Sequence, residues 1–357
     1  MANRDVIQLV GQCTRFLNGH PPKSVRDRAL EVAQSDLALK RNDQYGSGGF
    51  VTEFEQEVAG LLGKEAAVFM PSGTMAQQIA LRIWSDESGH KKIAFHPTSH
   101  LHIHEQMAYA FLHGLEGVLL GEANRLFTQD DLRGVSDGLA ALLIELPQRE
   151  IGGQLPTWEE FSAICEFAKA RNIRLHMDGA RLWECAPYYQ RSYAEIAEPF
   201  DSVYVSMYKI LGGFPGAVLA GPGPFVEQAR IWLRRHGGNL QQQSVAAISA
   251  KLGLDSKLPR IPLYVKRAGE IADILRGLEG VRLVPEHPPT NMMHVYFARD
   301  PERWVGASLQ IADEDKVWLF GGISADGKWE LNVGDGALEF EIVEIERCFQ
   351  KLRQLAG

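Results

Sequence analysis

Between residues 66 and 220, short apolar runs alternate with stretches of helical periodicity, and this rhythm leaves the chain few folds. Residues 66–70, 92–95, 139–145, 173–178, 200–205 and 216–220 each read as a strand. Met75, Ile79 and Ile83 recur at helical spacing, as do Trp158, Phe161, Ile164, Cys165 and Ala168. The run 139–145 is apolar throughout until Glu145, as expected of a parallel strand covered on both faces. Thr52 with Glu55, and Thr157 with Glu160, carry the capping-box pattern of a helix start. Strands alternating with helices predict an α/β fold built on a mostly parallel sheet. Functional groups in such sheets gather at the carboxyl ends of the strands.

Three of those ends carry groups that a plain core does not need. Lys209 follows the strand 200–205 in Ser206-Met207-Tyr208-Lys209, with Gly212 and Gly213 close behind. A lysine just past a strand end is ordinarily a surface charge, because burying an unpaired ammonium is costly. The chemical alternative is an amine that forms a Schiff base with a carbonyl cofactor, typically pyridoxal phosphate. Asp178 ends the strand 173–178, and a carboxylate in that place suits a protonated pyridine nitrogen. Ser72-Gly73-Thr74 follows the strand 66–70 and opens a helix, whose free amides and dipole suit a phosphate. Each feature alone is weak; the order of turn, aspartate and lysine is specific.

With these segments the chain also carries Tyr45-Gly46, the stretch 62–75, the stretch 176–182 and Thr290-Asn291-Met292. On them it resembles the threonine aldolase / β-eliminating lyase family of fold-type-I pyridoxal-phosphate enzymes, from about residue 40 to about residue 300. The resemblance implies an aspartate-aminotransferase-like large domain and a smaller α+β C-terminal domain. It also implies a lyase that cleaves a β-hydroxy-α-amino acid, such as L-threonine or L-allo-threonine, to glycine and an aldehyde. β-Elimination and transamination are the alternatives on the same cofactor. By this resemblance Lys209 holds pyridoxal 5'-phosphate, Asp178 faces its ring nitrogen, and Ser72, Gly73, Thr74 and Arg234 hold its phosphate. His100 stacks on the ring and moves protons near the substrate hydroxyl, while Arg181, Tyr45 and Glu105 serve the substrate. The family further implies a homodimer or homotetramer with shared active sites. Three contacts depart from its pattern: Gln241 stands where a phosphate arginine is expected, Glu330 where an arginine grips the substrate carboxylate, and no histidine occurs between His113 and His176, where some members use a second one.

The bulk properties fit a cytoplasmic enzyme acting on a small molecule. A net charge of −8 without a basic cluster disfavours nucleic acid. No apolar run reaches the length of a membrane span, and no signal-peptide core follows Met1-Ala2-Asn3. Cys13, Cys165, Cys185 and Cys348 are widely spaced, with neither zinc nor disulfide patterning. The expected division is an N-terminal arm over 1–50, a cofactor domain over 51–244 and a small domain over 245–357. His96, His100, His102, His104 and Glu105 lie within ten residues and invite a competing, non-catalytic metal-binding reading. Against it, the resemblance needs no metal, and histidines satisfied within a polar loop are ordinary.

Overall fold

The computed structural model describes residues 3–135, 138–298 and 300–357. Met1 and Ala2, expected to precede no signal-peptide core, lie outside the described residues. The chain clusters into a larger unit, Ser24–Glu150 with Leu155–Pro259, and a smaller one, Met1–Lys23 with Ile151–Gln154 and Arg260–Gly357.

The larger unit is built on seven strands: β1 (Ala66–Met70), β2 (Lys92–Phe95), β3 (Glu116–Leu119), β4 (Leu139–Glu145), β5 (Arg174–Gly179), β6 (Ser202–Ser206) and β7 (Ala217–Gly221). Their order is β1-β7-β6-β5-β4-β2-β3. Only β7 runs against its neighbours, pairing antiparallel with both β1 and β6. The other six strands therefore present their carboxyl ends along one edge. All seven residues of β4 are buried, so both faces are covered, as its apolar run predicts.

Helices α1 (Gly49–Leu61), α2 (Gly73–Ser88), α3 (His100–Ile103), α4 (Trp158–Ala170), α5 (Gly223–Arg235) and α6 (Ser244–Lys257) surround this sheet. Ser72 is extended and its Oγ accepts the Met75 N–H at 3.3 Å, which starts α2; Gly89 stops it in the left-handed region at φ 71°. The Thr157–Glu160 box caps α4 as expected.

The Thr52–Glu55 box does not form. The helix starts earlier, at Gly49, and Thr52 Oγ1 accepts the Gly48 N–H at 3.0 Å. Gly48 and Gly49 have φ of 75° and 59°, and a Cβ on Gly49 would lie 2.3 Å from the Arg41 carbonyl oxygen. Glycine lets the chain turn tightly into the helix there. Glu55 is buried instead. It accepts the Phe69 N–H at 2.7 Å and pairs with Arg230 at 2.6 Å.

Residues 24–50 belong to the larger unit for a physical reason. The helix Val25–Gln34 packs against α6. Buried Asp43 caps α6 by accepting the N–H groups of Gln243 (2.8 Å) and Ser244 (2.9 Å). Residues 1–50 are thus not one arm, and 245–259 stay with the larger unit.

In the smaller unit, Arg15–Phe16 pairs parallel with Val317–Trp318. Its antiparallel sheet has the order β10-β9-β8, with β8 (Val281–Val284), β9 (Met292–Phe297) and β10 (Lys328–Asn332). Helices α7 (Ile261–Arg276), α8 (Pro301–Asp315) and α9 (Ile342–Ala356) complete it, with α9 packed on α7 and α8. Glu330 stands directly opposite His294 in this sheet, with Oε2 3.5 Å from Nε2, and its Oε1 accepts the Asn332 amide at 3.0 Å. Its charge thus has partners within its own sheet. No helix among the described residues is long and apolar enough to cross a membrane.

Candidate active site

Asp178 is the penultimate residue of β5, and Glu145, the last of β4, is its register partner across the ladder. Both are buried. Beyond β6 the chain runs through Met207 and Tyr208 to Lys209. It then turns sharply, with the Gly212 N–H donating to the Lys209 carbonyl and the Gly213 N–H to that of Met207, each at 3.0 Å. Gly213 must be small, because a Cβ would stand 2.7 Å from the Met207 oxygen.

The site's electrostatics are mutual. Burial, and then the Arg181 guanidinium, push the Lys209 amine from 10.5 down to about 8; Asp178 and Glu145 oppose this. Burial, and then Asp178, push the Glu145 carboxyl up to about 7, against the N–H groups of Arg149 and His100. Burial also raises Asp178, while Lys209 and the Ala180 N–H pull it back. A lysine that gives up its proton near pH 8 rather than 10.5, among two carboxylates and two arginines, has the chemistry of a nucleophile.

The histidines take separate partners. His100 Nδ1 lies 3.0 Å from Glu105 Oε1, and its backbone N–H donates to Glu145 at 3.1 Å. Glu105 Oε2 in turn accepts the Gln78 amide at 2.7 Å. Glu105 is therefore buried with one partner on each oxygen, His100 and Gln78. With Nδ1–H on Glu105, the other ring nitrogen of half-buried His100 is left as an acceptor. His96 bonds the Arg125 carbonyl at 2.7 Å, His102 the Tyr109 hydroxyl at 3.2 Å, and His104 the Glu150 carboxylate at 2.9 Å. Among the described residues no group of three or more His, Cys, Asp or Glu could hold a metal ion.

The Ser72-Gly73-Thr74 turn lies at the end of β1, at the start of α2. The first-turn N–H groups of a helix have no intrahelical acceptor, and the sixteen residues of α2 give them a substantial dipole. A Cβ on Gly73 would fall 2.0 Å from the Tyr204 hydroxyl, so only glycine lets this turn sit so low on the sheet. Gly238, just after α5, lies against Met75, since a Cβ there would meet its sulfur at 2.4 Å. The segment following exposed Arg234 thus borders the turn. Exposed Tyr45 sits in the left-handed region at φ 53°, its N–H donating to the Gln241 carbonyl at 3.0 Å. Asp43, which caps α6, also accepts the Gly46 N–H at 2.9 Å and so fixes this loop. Arg181 is half-buried two residues beyond β5, near enough to Lys209 to lower its amine.

Four further residues of the site were not among those singled out by sequence. Glu145 orders His100 and Arg149 through their N–H groups. Gln148 is buried and donates to Glu145 at 3.3 Å. Gln77 and His176 lie behind Asp178, with Gln77 Nε2 donating to its Oδ2. The available signal was alternation: His176 is two residues before Asp178 and so shares its face of the strand.

These residues fit a pyridoxal phosphate. A half-buried amine, a buried carboxylate, an imidazole with a free acceptor and a helix start cleared by a glycine match its aldehyde, ring nitrogen, ring face and phosphate.

Comparison with known proteins bears on the same site. The family model described as Beta-eliminating lyase matches residues 25–299. An Arabidopsis thaliana protein provisionally named low-specificity L-threonine aldolase 2 is 30% identical over 295 residues, covering 79% of this chain and 80% of its own. The low specificity L-threonine aldolase of Escherichia coli O157:H7 is 28% identical over 281 residues, 75% of this chain and 81% of its own. A solved structure from Listeria monocytogenes EGD-E, provisionally assigned as an L-allo-threonine aldolase, superposes with a TM-score of 0.94 at 41% identity, over 99% of both chains. The architecture is pyridoxal-phosphate fold type I, with the mostly parallel sheet that the strand–helix rhythm predicts.

Proposed function

This chain belongs to the β-eliminating lyase family, and on that premise we propose that it is a pyridoxal-phosphate-dependent aldolase. Its reaction is cleavage of the Cα–Cβ bond of a β-hydroxy-α-amino acid of the threonine or allo-threonine kind, giving glycine and an aldehyde. The names of its relatives support the substrate class. The observation that carries the reading is Lys209, an amine held near neutrality at the joint end of β5 and β6 beside Asp178.

Bound pyridoxal phosphate would supply the electron sink for a carbanion at Cα. Lys209 would hold the cofactor, Asp178 would keep a proton on its ring nitrogen, and the Ser72–Thr74 turn with Arg234 would bind its phosphate. His100 would stack on the ring and accept the substrate's hydroxyl proton on Nε2. As that proton leaves, the O–H pair forms the aldehyde C=O and the Cα–Cβ pair stays on Cα, which takes up a proton to become glycine. Glu105 fixes the tautomer that makes Nε2 the acceptor. Arg181 holds the substrate carboxylate by a planar two-point contact, and Tyr45 borders the substrate. The reading includes a cytoplasmic homodimer or homotetramer; exposed Phe111 and Leu112, side by side on the surface, are the kind of pair that a second copy covers.

Purified protein loaded with pyridoxal phosphate is expected to turn L-threonine, L-allo-threonine or L-phenylserine into aldehyde and glycine in equal amounts. Ammonia with a keto acid would move it to the eliminating lyases. Silence from every substrate with the yellow cofactor bound would overturn the substrate class.

The amine adds a pH test. Only neutral lysine attacks an aldehyde, so cofactor uptake by the apoenzyme should accelerate about tenfold per pH unit at low pH. It should level off above about 8, where Lys209 has lost its proton. Stopped-flow absorbance would read this; a rise continuing toward 10.5 would show an ordinary lysine.

A further inference from the structure

Behind Asp178 lies a chain of four hydrogen bonds that leads away from the open site. Trp84 Nε1 is 2.8 Å from Ser202 Oγ, which is 2.8 Å from His176 Nδ1. His176 Nε2 is 2.6 Å from Gln77 Oε1, and Gln77 Nε2 reaches Asp178 Oδ2. All five side chains are buried. They come from α2, β5 and β6, three elements packed directly on one another.

The chemistry of the first member orders the rest. An indole N–H only donates, so Ser202 accepts from Trp84, and its own buried proton is paired by donating to His176. The imidazole beside it receives that proton on Nδ1 and must carry its own on Nε2. Nε2–H requires the carbonyl of Gln77, which turns the amide NH2 toward Asp178. The opposite polarity would give Ser202 two donors and bring the Gln77 carbonyl against a carboxylate. Burial keeps His176 neutral by pushing it down to about 3, so a doubly protonated ring does not blur the direction.

We propose that Trp84, Ser202, His176 and Gln77 form a one-way hydrogen-bond relay that fixes Asp178 as an acceptor, and that they are positioning residues for the group that Asp178 faces. With the Ala180 N–H on Oδ1 at 3.1 Å and Gln77 on Oδ2, both oxygens meet donors from behind. A proton on Oδ2 would find no acceptor at Gln77, because that amide's oxygen is committed to His176. The relay therefore opposes the neutral acid that burial favours, and it keeps the charge available to a protonated ring nitrogen. This inference rests on the cofactor reading above, but its first test does not use the cofactor.

Two-bond proton–nitrogen NMR of the wild-type apoenzyme should show His176 as a neutral ring protonated on Nε2. A proton on Nδ1 would overturn the proposal. In the second test, Ser202→Ala and Gln77→Met each remove two of the four bonds. Gln77→Met, which takes a buried hydrogen bond from a charged group, is expected to weaken pyridoxal phosphate binding about 10-fold or more, and Ser202→Ala, whose partners are neutral, by less. Each should also move the pH midpoint of the bound cofactor's absorbance, which a merely structural role would leave in place. Wild-type affinity and an unmoved midpoint in both variants would overturn the relay's role, whatever the NMR shows. If wild-type protein binds no pyridoxal phosphate at all, the aldolase reading fails and the role proposed for the relay falls with it. The apoenzyme spectrum would still report the relay's polarity.

Discussion

Lys209→Ala is expected to lower product formation by about 10⁴-fold or more, the scale seen when a covalent nucleophile is removed. The sheet brings Asp178 and Glu145 to this amine, and Arg181 and Arg149 lower its pKa. The loss should appear in the rate with the fold intact, because Lys209 is followed by a turn held by backbone bonds from Gly212 and Gly213 rather than by its side chain. Adding a small primary amine should restore part of the rate. Activity within about tenfold of wild type would remove the central assignment.

Asp178→Asn is expected to cost about 10²–10³-fold in the same assay, comparable to removing one preorganised charge partner from an active site. The amide nearly matches the carboxylate in shape, so Gln77 still has an oxygen to meet, while the Ala180 N–H loses its acceptor. The stability effect should have the opposite sign. Burial raises the folded-state pKa of Asp178 above 3.8, so the folded chain binds its proton more tightly than the unfolded one. Stability tied to this group is then fullest at low pH and is lost as pH rises past that ordinary value. At neutral pH the neutral asparagine escapes that penalty, and the apoenzyme's melting temperature should hold or rise while the rate falls. Such a trade of stability for function is common where a site stores an uncomfortable charge.

What could be read from sequence, and what could not, follows from physics. Lys209 and Asp178 stood out because each ends a short apolar run, where a charge contradicts its surroundings. The Ser72 turn stood out because strand, turn and helix are local patterns. Glu145 closes an equally apolar run, but its use depends on its partner across the ladder, which no local pattern reports. Gln77 and His176 are 99 residues apart and meet only because α2 lies on β5. The Thr52–Glu55 box failed because a distant arginine, Arg230, outcompeted the helix end for Glu55. Residues 1–23 and 24–50 read as one arm in sequence, yet they join different units, because the first pairs with Val317–Trp318 and the second packs on and caps α6.

The single reversed strand has a consequence for how the chain is made. Among the described residues β1 has no sheet neighbour except β7, with Ala66 opposite Gly221. At ordinary synthesis rates that partner leaves the ribosome roughly ten to thirty seconds after β1 does. Throughout that wait Ala66-Ala67-Val68-Phe69-Met70, an uncharged apolar segment, has no strand to pair with. Chaperone supply and translation speed, more than the stability of the finished enzyme, should therefore govern the yield of soluble protein from a cell.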